Sequence, residues 1–124
     1  MPPTILIVDD EQHIRLLIEQ SLEDLEDEGV ELLTAADGEE ALAAVERHRP
    51  ALVFLDIMMP KRNGFEVCRA IKDDMGQDAA VVMLTAKGQA YDREQGLAAG
   101  ADRYVTKPFD PDELLHTART LLGL

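Results

Sequence analysis

The stretch Ala51-Leu52-Val53-Phe54-Leu55-Asp56-Ile57-Met58-Met59-Pro60 constrains the fold more than any other part of the chain. Apolar residues lead without interruption to one carboxylate, and a proline closes the run. An apolar run this short, without alternation, predicts a strand covered on both faces, the situation inside a parallel sheet. Asp56 then stands at the strand's C-terminal end, on the edge where an open α/β sheet forms its ligand crevice. Packing requires no carboxylate there. Taken alone, Asp56 also fits a turn or a cap.

Other stretches end in a similar way. Thr4-Ile5-Leu6-Ile7-Val8 runs into Asp9 and Asp10, and Ala79-Ala80-Val81-Val82-Met83-Leu84 runs into Thr85. The short Arg103-Tyr104-Val105-Thr106 runs into Lys107 and Pro108. Each β-prone run stops at a group able to bind metal or phosphate. Parallel strands place all these ends on one edge, so Asp9, Asp10, Asp56, Thr85 and Lys107 are expected in a single pocket.

The segments between carry helical spacing. Ile14, Leu17, Ile18, Ser21, Leu22 and Leu25 form one stripe on a helix expected from Glu11 to about Leu25, with Asp10 placed to cap it. Val30 to Ala35 is a second strand, in which Glu31 marks an edge-like position. Asp37-Gly38-Glu39-Glu40 opens a helix that continues to about His48. Phe65 to about Met75 forms another, burying Phe65, Val67, Cys68 and Ile71. A helix from Ala86 to about Ala99 is weakened by Gly88 and Gly96. Asp110, Pro111 and the following acids start the last helix, whose apolar face is Leu114, Leu115, Ala118, Leu121 and Leu122. Five strands alternating with five helices imply an α/β fold, a parallel sheet with helices on both faces.

At 124 residues and 46% hydrophobic content, the chain is expected to form one domain, with no second domain after the last helix. No apolar run is long enough to cross a bilayer and no signal segment opens the chain, so a cytoplasmic location and no membrane partner are expected. The single cysteine, Cys68, excludes an internal disulfide and a cysteine-based metal cluster. A net charge of −13 opposes direct nucleic-acid binding, because phosphates are repelled. From Glu19 to Glu46 there is no Lys or Arg. That stretch is a solvated acidic face or a docking surface for a basic partner.

Three carboxylates in one crevice repel each other unless a cation joins them. An all-oxygen set favours a hard ion, and Mg²⁺ commonly takes one or two carboxylates plus water. Lys107 offers a point charge, and Thr85 a hydroxyl donor, to a phosphoryl group. Asp56 can then accept that group as an aspartyl phosphate, with metal and Lys107 neutralising the charge in transfer. The plainer alternatives are that Asp9 and Asp10 only cap the first helix, that Lys107 is a surface residue and that Thr85 merely ends a strand.

Taken together, four ordered motifs resemble the receiver domain of two-component response regulators. They are Ile7-Val8-Asp9-Asp10-Glu11, Leu55-Asp56-Ile57-Met58-Met59-Pro60 with Asn63-Gly64, Leu84-Thr85-Ala86, and Gly100-Ala101-Asp102 through Tyr104 to Thr106-Lys107-Pro108-Phe109. The likeness covers essentially the whole chain, 1–124. It implies a flavodoxin-like fold with strand order 2-1-3-4-5 and a cis Lys107–Pro108 peptide. By the same resemblance Asp56 is the phosphoacceptor and Thr85 and Lys107 contact the phosphoryl oxygens. Asp10 binds Mg²⁺ directly, Asp9 largely through water, and Met58 through its backbone carbonyl. Thr85 and Tyr104 form the switch, and Met58 and Lys87 flank the phosphoryl and tune its lifetime.

The resemblance further implies a signalling domain rather than an enzyme acting on other substrates, one that catalyses its own phosphorylation and dephosphorylation. Its partners would be a histidine kinase or phosphotransfer protein, and a downstream protein or a missing output domain. A phosphorylation-dependent dimer stays open. Many DNA-binding members carry two acids before the switch aromatic, whereas this chain has Asp102-Arg103, which speaks against their salt-bridged dimer.

Competing readings remain at this stage. A Mg²⁺-dependent phosphatase using Asp56 transiently would want an acid two residues later, where Met58 stands. A flavodoxin-like cofactor binder would want a Gly- or Ser/Thr-rich loop after the first strand, and Asp9-Asp10-Glu11 repels phosphate. A receiver serving only as scaffold would not need the complete acceptor set.

Overall fold

Every residue from Ile5 to Val8 and from Leu52 to Asp56 is buried, so these strands lie between two covering layers. In the computed structural model, which describes residues 3–59, 63–74, 78–86 and 100–124, five strands form one sheet. They are β1 (Thr4–Val8), β2 (Glu31–Ala35), β3 (Leu52–Asp56), β4 (Ala80–Ala86) and β5 (Arg103–Lys107). All neighbours pair parallel, in the order β2-β1-β3-β4-β5. The parallel sheet with helices on both faces is what the alternation of strands and helices predicted, and the strand order is the one the resemblance implied.

Alternation along the strands divides the core. Leu6, Val8, Val53, Leu55, Val81 and Met83 pack on one side, with Ala41, Val45, Val67, Cys68 and Ile71 from the helices there. Ile5, Ile7, Leu52, Phe54, Val82 and Leu84 pack on the other, with Ile18, Leu22, Leu25, Leu114 and Ala118. The first layer is α3 (Gly38–His48) and α4 (Gly64–Arg69). The second is α1 (Gln12–Ser21), the short α2 (Glu23–Asp27) and α5 (Pro111–Leu122). Because side chains alternate across a strand, one unbroken apolar run serves both layers.

The expected single helix from Glu11 to Leu25 is two pieces, separated at Leu22, whose φ is −105°. Ser21 Oγ donates to Leu17 O at 2.8 Å. A hydroxyl bonded back to the preceding turn competes with the helical ladder and bends the helix. The Leu22 N–H is shared between Ile18 O and Glu19 O, both at 3.1 Å. The apolar stripe survives the break, since Ile18, Leu22 and Leu25 are all buried. Val30 is buried but lies just outside β2. The helix expected to reach Met75 is α-helical through Arg69 and continues as a π-helical turn over Ala70–Asp74. The helix expected from Ala86 to about Ala99 does not start at Ala86, which is the last residue of β4. Positions 87–99 lie outside the described residues, as do Lys61 and Arg62 of the turn that Lys61-Arg62-Asn63-Gly64 signals in the sequence.

Helix starts follow short-range chemistry. Asn63 Oδ1 accepts from Glu66 N, and Asp110 Oδ1 accepts from Asp112 N with Pro111 next in line. Asp37 Oδ1 accepts from Glu40 N at 2.9 Å, and α3 ends with Arg49 in the left-handed region at φ 47°. Removing a capping oxygen leaves one of the helix's first N–H groups without its partner. Asp37→Ala is therefore expected to lower stability by about 1 kcal/mol, read as a lower urea midpoint with unchanged slope.

Candidate functional site

The C-terminal ends of β1, β3 and β5 bring acids and a base together. In register Val8 stands opposite Leu55, so Asp9 and Asp56 are the next residues on adjacent strands. By alternation, Asp9, Asp56 and Lys107 lean to the α1/α5 side of the sheet. Oxygens of Asp9, Asp10 and Asp56 lie within 4.8 Å of one another. Lys107 Nζ is 3.4 Å from Asp56 Oδ1 and 3.6 Å from Asp9 Oδ2. The Lys107–Pro108 peptide is cis, as the resemblance implied.

Asp56 is only 3% exposed. Its Oδ1 accepts from Met58 N at 3.3 Å and from Lys107 Nζ at 3.4 Å, both long for bonds to an ionised carboxylate. Burial, reinforced by the Asp9 carboxylate, pushes its pKa up to about 6, against the opposing pull of Lys107 and of the Met58 N–H. Asp56 is thus mostly ionised at neutral pH, yet is held less firmly than a carboxylate in water.

Asp9 is fully buried. Burial raises its pKa, and the Glu11 N–H and Lys107 only partly oppose this. Asp9 Oδ1 accepts from Glu11 N at 2.9 Å. Asp9, not Asp10, therefore makes the local bond at the start of α1, where Glu11 occupies the cap position without a side-chain bond. Asp10 stays exposed. Asp9 Oδ2 is buried and accepts no hydrogen bond among the described residues; Lys107 Nζ, 3.6 Å away, offsets its charge without donating to it. Such an oxygen is costly to bury unless a donor or a closer cation reaches it. For Lys107, burial alone would lower the pKa, but Asp56 and Asp9 outweigh it and hold the ammonium above its usual value. Among the described residues, one lysine faces three carboxylates, a set with net negative charge. An all-oxygen set with an orphaned, buried oxygen suits a hard cation.

Thr85 and Tyr104 occupy the other face. In register Asp56 is opposite Leu84 and Thr85 is opposite Thr106, so Thr85 lies one step further toward the crevice than Asp56's partner. Thr85 is 3% exposed. Tyr104, opposite Met83, packs against the α3/α4 side of the core. Thr85 and Tyr104 are therefore diagonal neighbours on one face of the β4–β5 pair, a spacing that an aromatic side chain can span. Met58 is 78% exposed at the rim. The sequence pattern assembled the right strand ends but missed this division between two faces. Alternation within each strand does not carry that information; it comes from the register between strands, which sets Val81 and Thr85 on the layer opposite to Leu52 and Asp56.

Two further residues hold the site: Gly64, which the sequence presented only as part of the Asn63-Gly64 motif, and Arg15, which it did not single out. Gly64 is buried and its N–H donates to Ile57 O at 2.9 Å, so α4 starts against the backbone just after Asp56. Arg15 Nη1 donates to the Asp9 carbonyl at 2.6 Å. An arginine one turn into a helix that follows two acids is the only sequence sign of the second.

A doubly wound sheet of order 2-1-3-4-5 with an acidic, lysine-bridged crevice at its strand ends defines the class of protein. The profile of the response regulator receiver domain family matches residues 5–119. The chain belongs to this family, whose role is to accept a phosphoryl group in two-component signalling. It is 48% identical over 118 residues to "Probable transcriptional regulator ycf27" of Cyanophora paradoxa, covering 95% of this chain and 47% of that protein. It is 42% identical over 122 residues to the alkaline phosphatase synthesis transcriptional regulatory protein PhoP of Bacillus subtilis (strain 168), covering 98% and 49%. The solved structure of the chemotaxis protein CheY4 of Vibrio cholerae superposes with a TM-score of 0.86 at 34% identity, covering 98% of this chain and 99% of that one. The chain spans about half the length of the curated relatives it matches. No described helix is long and apolar enough to cross a membrane.

Proposed function

We propose that this chain is a cytoplasmic phosphoacceptor whose receiver unit spans 1–124. In this reading it takes a phosphoryl group from a histidine kinase or phosphotransfer protein onto Asp56, in a reaction that needs Mg²⁺. The observation that carries the reading is the buried Asp56 carboxylate, bridged by Lys107 beside the orphaned oxygen of Asp9. Asp9, Asp10 and Asp56 would hold the metal, with the Met58 backbone carbonyl as a further ligand. Bound there, Mg²⁺ would neutralise charge on the oxygens of the group being transferred.

The chain's own groups do the rest. Asp56, ionised above a pKa of about 6, supplies the attacking oxygen. Lys107, held as the ammonium, balances charge on the arriving oxygens. Thr85 donates its hydroxyl to the phosphoryl from the next strand. Drawn toward it, Thr85 vacates space on the face it shares with Tyr104, and Tyr104 turns inward. A local charge event thereby biases a two-state surface. The catalysis is of the domain's own phosphorylation and dephosphorylation, not of turnover of other substrates.

The two named relatives are transcriptional regulators about twice this length, so an attached or separate output partner is the natural target. A salt-bridged dimer through the last strand is not part of the reading. Arg103 replaces the second acid, and the Asp102 carboxylate accepts from Val81 N and Lys72 Nζ of its own chain, each at 2.8 Å.

Intact mass after incubation with a small acyl phosphate tests the assignment. One added phosphoryl is expected with Mg²⁺, none after chelation, and none on Asp56→Asn. No adduct but steady release of inorganic phosphate would instead indicate a phosphatase, and neither adduct nor release a scaffold.

A further inference from the structure

Asp9 opens the turn between β1 and α1, which carries two of the three clustered acids. The Asp9 carbonyl lies beyond the last residue of β1 and ahead of α1, whose opening bonds, from Ile14 N and Arg15 N, go to Glu11 O. Arg15 lies in the first turn of α1, and its side chain doubles back six residues to grip that carbonyl, Nη1 to O at 2.6 Å. The same residue is held at its other polar groups, with Asp9 N donating to Ala35 O at 3.2 Å and Glu11 N donating to Asp9 Oδ1 at 2.9 Å. The carbonyl belongs to the Asp9–Asp10 peptide. Rotation of that peptide plane would swing Asp10 relative to Asp9 and Asp56. A short, charge-assisted bond from a half-buried guanidinium opposes such rotation.

We propose that Arg15 is a positioning residue for the cation site, fixing the Asp9–Asp10 peptide so that the carboxylates face a shared ion. The inference rests on the reading that these acids bind Mg²⁺. Arg15 acts here through the backbone and not through its charge, and the two modes have opposite signs. Removing a cation beside an acidic pocket strengthens Mg²⁺ binding by Coulomb's law. Removing the grip weakens it, as loss of outer-shell partners of metal ligands generally does, by roughly 10–100-fold.

The test titrates Mg²⁺ alone into the whole chain, followed by the amide chemical shifts of Glu11 and Met58. The parent chain, Arg15→Met and Arg15→Lys are compared at one pH and one ionic strength. Arg15→Met, which keeps length but loses donors and charge, is expected to bind about tenfold more weakly. Arg15→Lys, which keeps one donor, is expected to fall between the two. Phosphoryl uptake by Arg15→Met is expected to return to the parent rate at saturating Mg²⁺. Equal or tighter Mg²⁺ binding by Arg15→Met overturns the proposal, as does a rate that stays depressed at saturation. If Arg15→Met does not fold, Arg15→Lys decides by the same sign. A parent chain that shows no Mg²⁺ response overturns the metal reading and this inference with it, and does so before any substitution is made.

Discussion

At pH 8 and without divalent cation, Asp56→Asn is expected to be more stable than the parent chain by about 3 kcal/mol. The carboxyl moves from 3.8 to about 6 on folding, because it is buried and faces Asp9. At 1.36 kcal/mol per unit, that shift is a penalty of roughly 3 kcal/mol for folding with Asp56 ionised. Below pH 3.8 the carboxyl is protonated in both states and the penalty is absent. Between that value and about 6 the folded chain binds more protons than the unfolded one, so stability falls as pH rises. Above about 6 the penalty is complete. The advantage of Asp56→Asn should therefore be full at pH 8, shrink as pH falls through 6, and vanish near 4. Subtracting the variant's pH profile from the parent's removes the groups that do not interact with Asp56 and leaves Asp56 together with its coupled neighbours Asp9 and Lys107. In urea the difference at pH 8 corresponds to a midpoint shift on the order of 1 M. Millimolar Mg²⁺ is expected to stabilise the parent more than the variant, since the ion offsets the repulsion that the substitution removes. An Asp56→Asn chain no more stable than the parent at pH 8 would mean that the pocket does not strain its carboxylates.

This tension shows what sequence patterns can and cannot carry. Runs that stop at Asp9, Asp56, Thr85 and Lys107 reveal four strands and one functional edge. In β1, β3 and β4 burial on both faces leaves an apolar trace, while the edge strand β5, with only Val105 buried, is marked by β-prone residues instead. The caps at Asp37 and Asp110 were equally visible, since each interaction spans only two or three residues. The break at Leu22 was not, because it depends on which bond Ser21 chooses, and a serine on an apolar stripe looks the same either way. Nor could sequence order choose between Asp9 and Asp10 for the bond at the start of α1. That choice follows from the last strand residue, which sets which acid points inward. The separation of Thr85 and Tyr104 from the acids needed strand register, which the sequence leaves open and the parallel pairing fixes. Lys72 is another long-range case. Its ammonium bridges Ala79 O and Asp102 Oδ2, joining segments that no local pattern connects.

Gly64 gives the largest expected effect of a change outside the charged groups. In sequence, Asn63-Gly64 looks like an ordinary turn, but the turn is not what requires glycine. A Cβ at Gly64 would lie 2.5 Å from the Asp56 carbonyl oxygen and 2.8 Å from Ile57 Cα. Both are backbone atoms, and the Gly64 N–H is already bonded to Ile57 O, so neither side has freedom to give way. Overpacking in a well-packed site costs about 1–3 kcal/mol and more where backbone must shift. Gly64→Ala is therefore expected to destabilise the chain by about 3 kcal/mol. Gly29→Ala makes the useful comparison. Gly29 has φ +95° but, among the described residues, nothing within 4 Å of an added Cβ, so its cost is conformational, about 1–2 kcal/mol. The two substitutions should also differ at the site. Any relief of the clash at Gly64 moves the end of β3 and Asp56 with it, so Gly64→Ala is expected to slow phosphoryl uptake under conditions where it remains folded, whereas Gly29→Ala leaves the rate unchanged. Urea midpoints and uptake rates measured on both variants check the pair. A Gly64→Ala chain as stable as Gly29→Ala, with the parent's rate, would show that α4 and the end of β3 can part without cost.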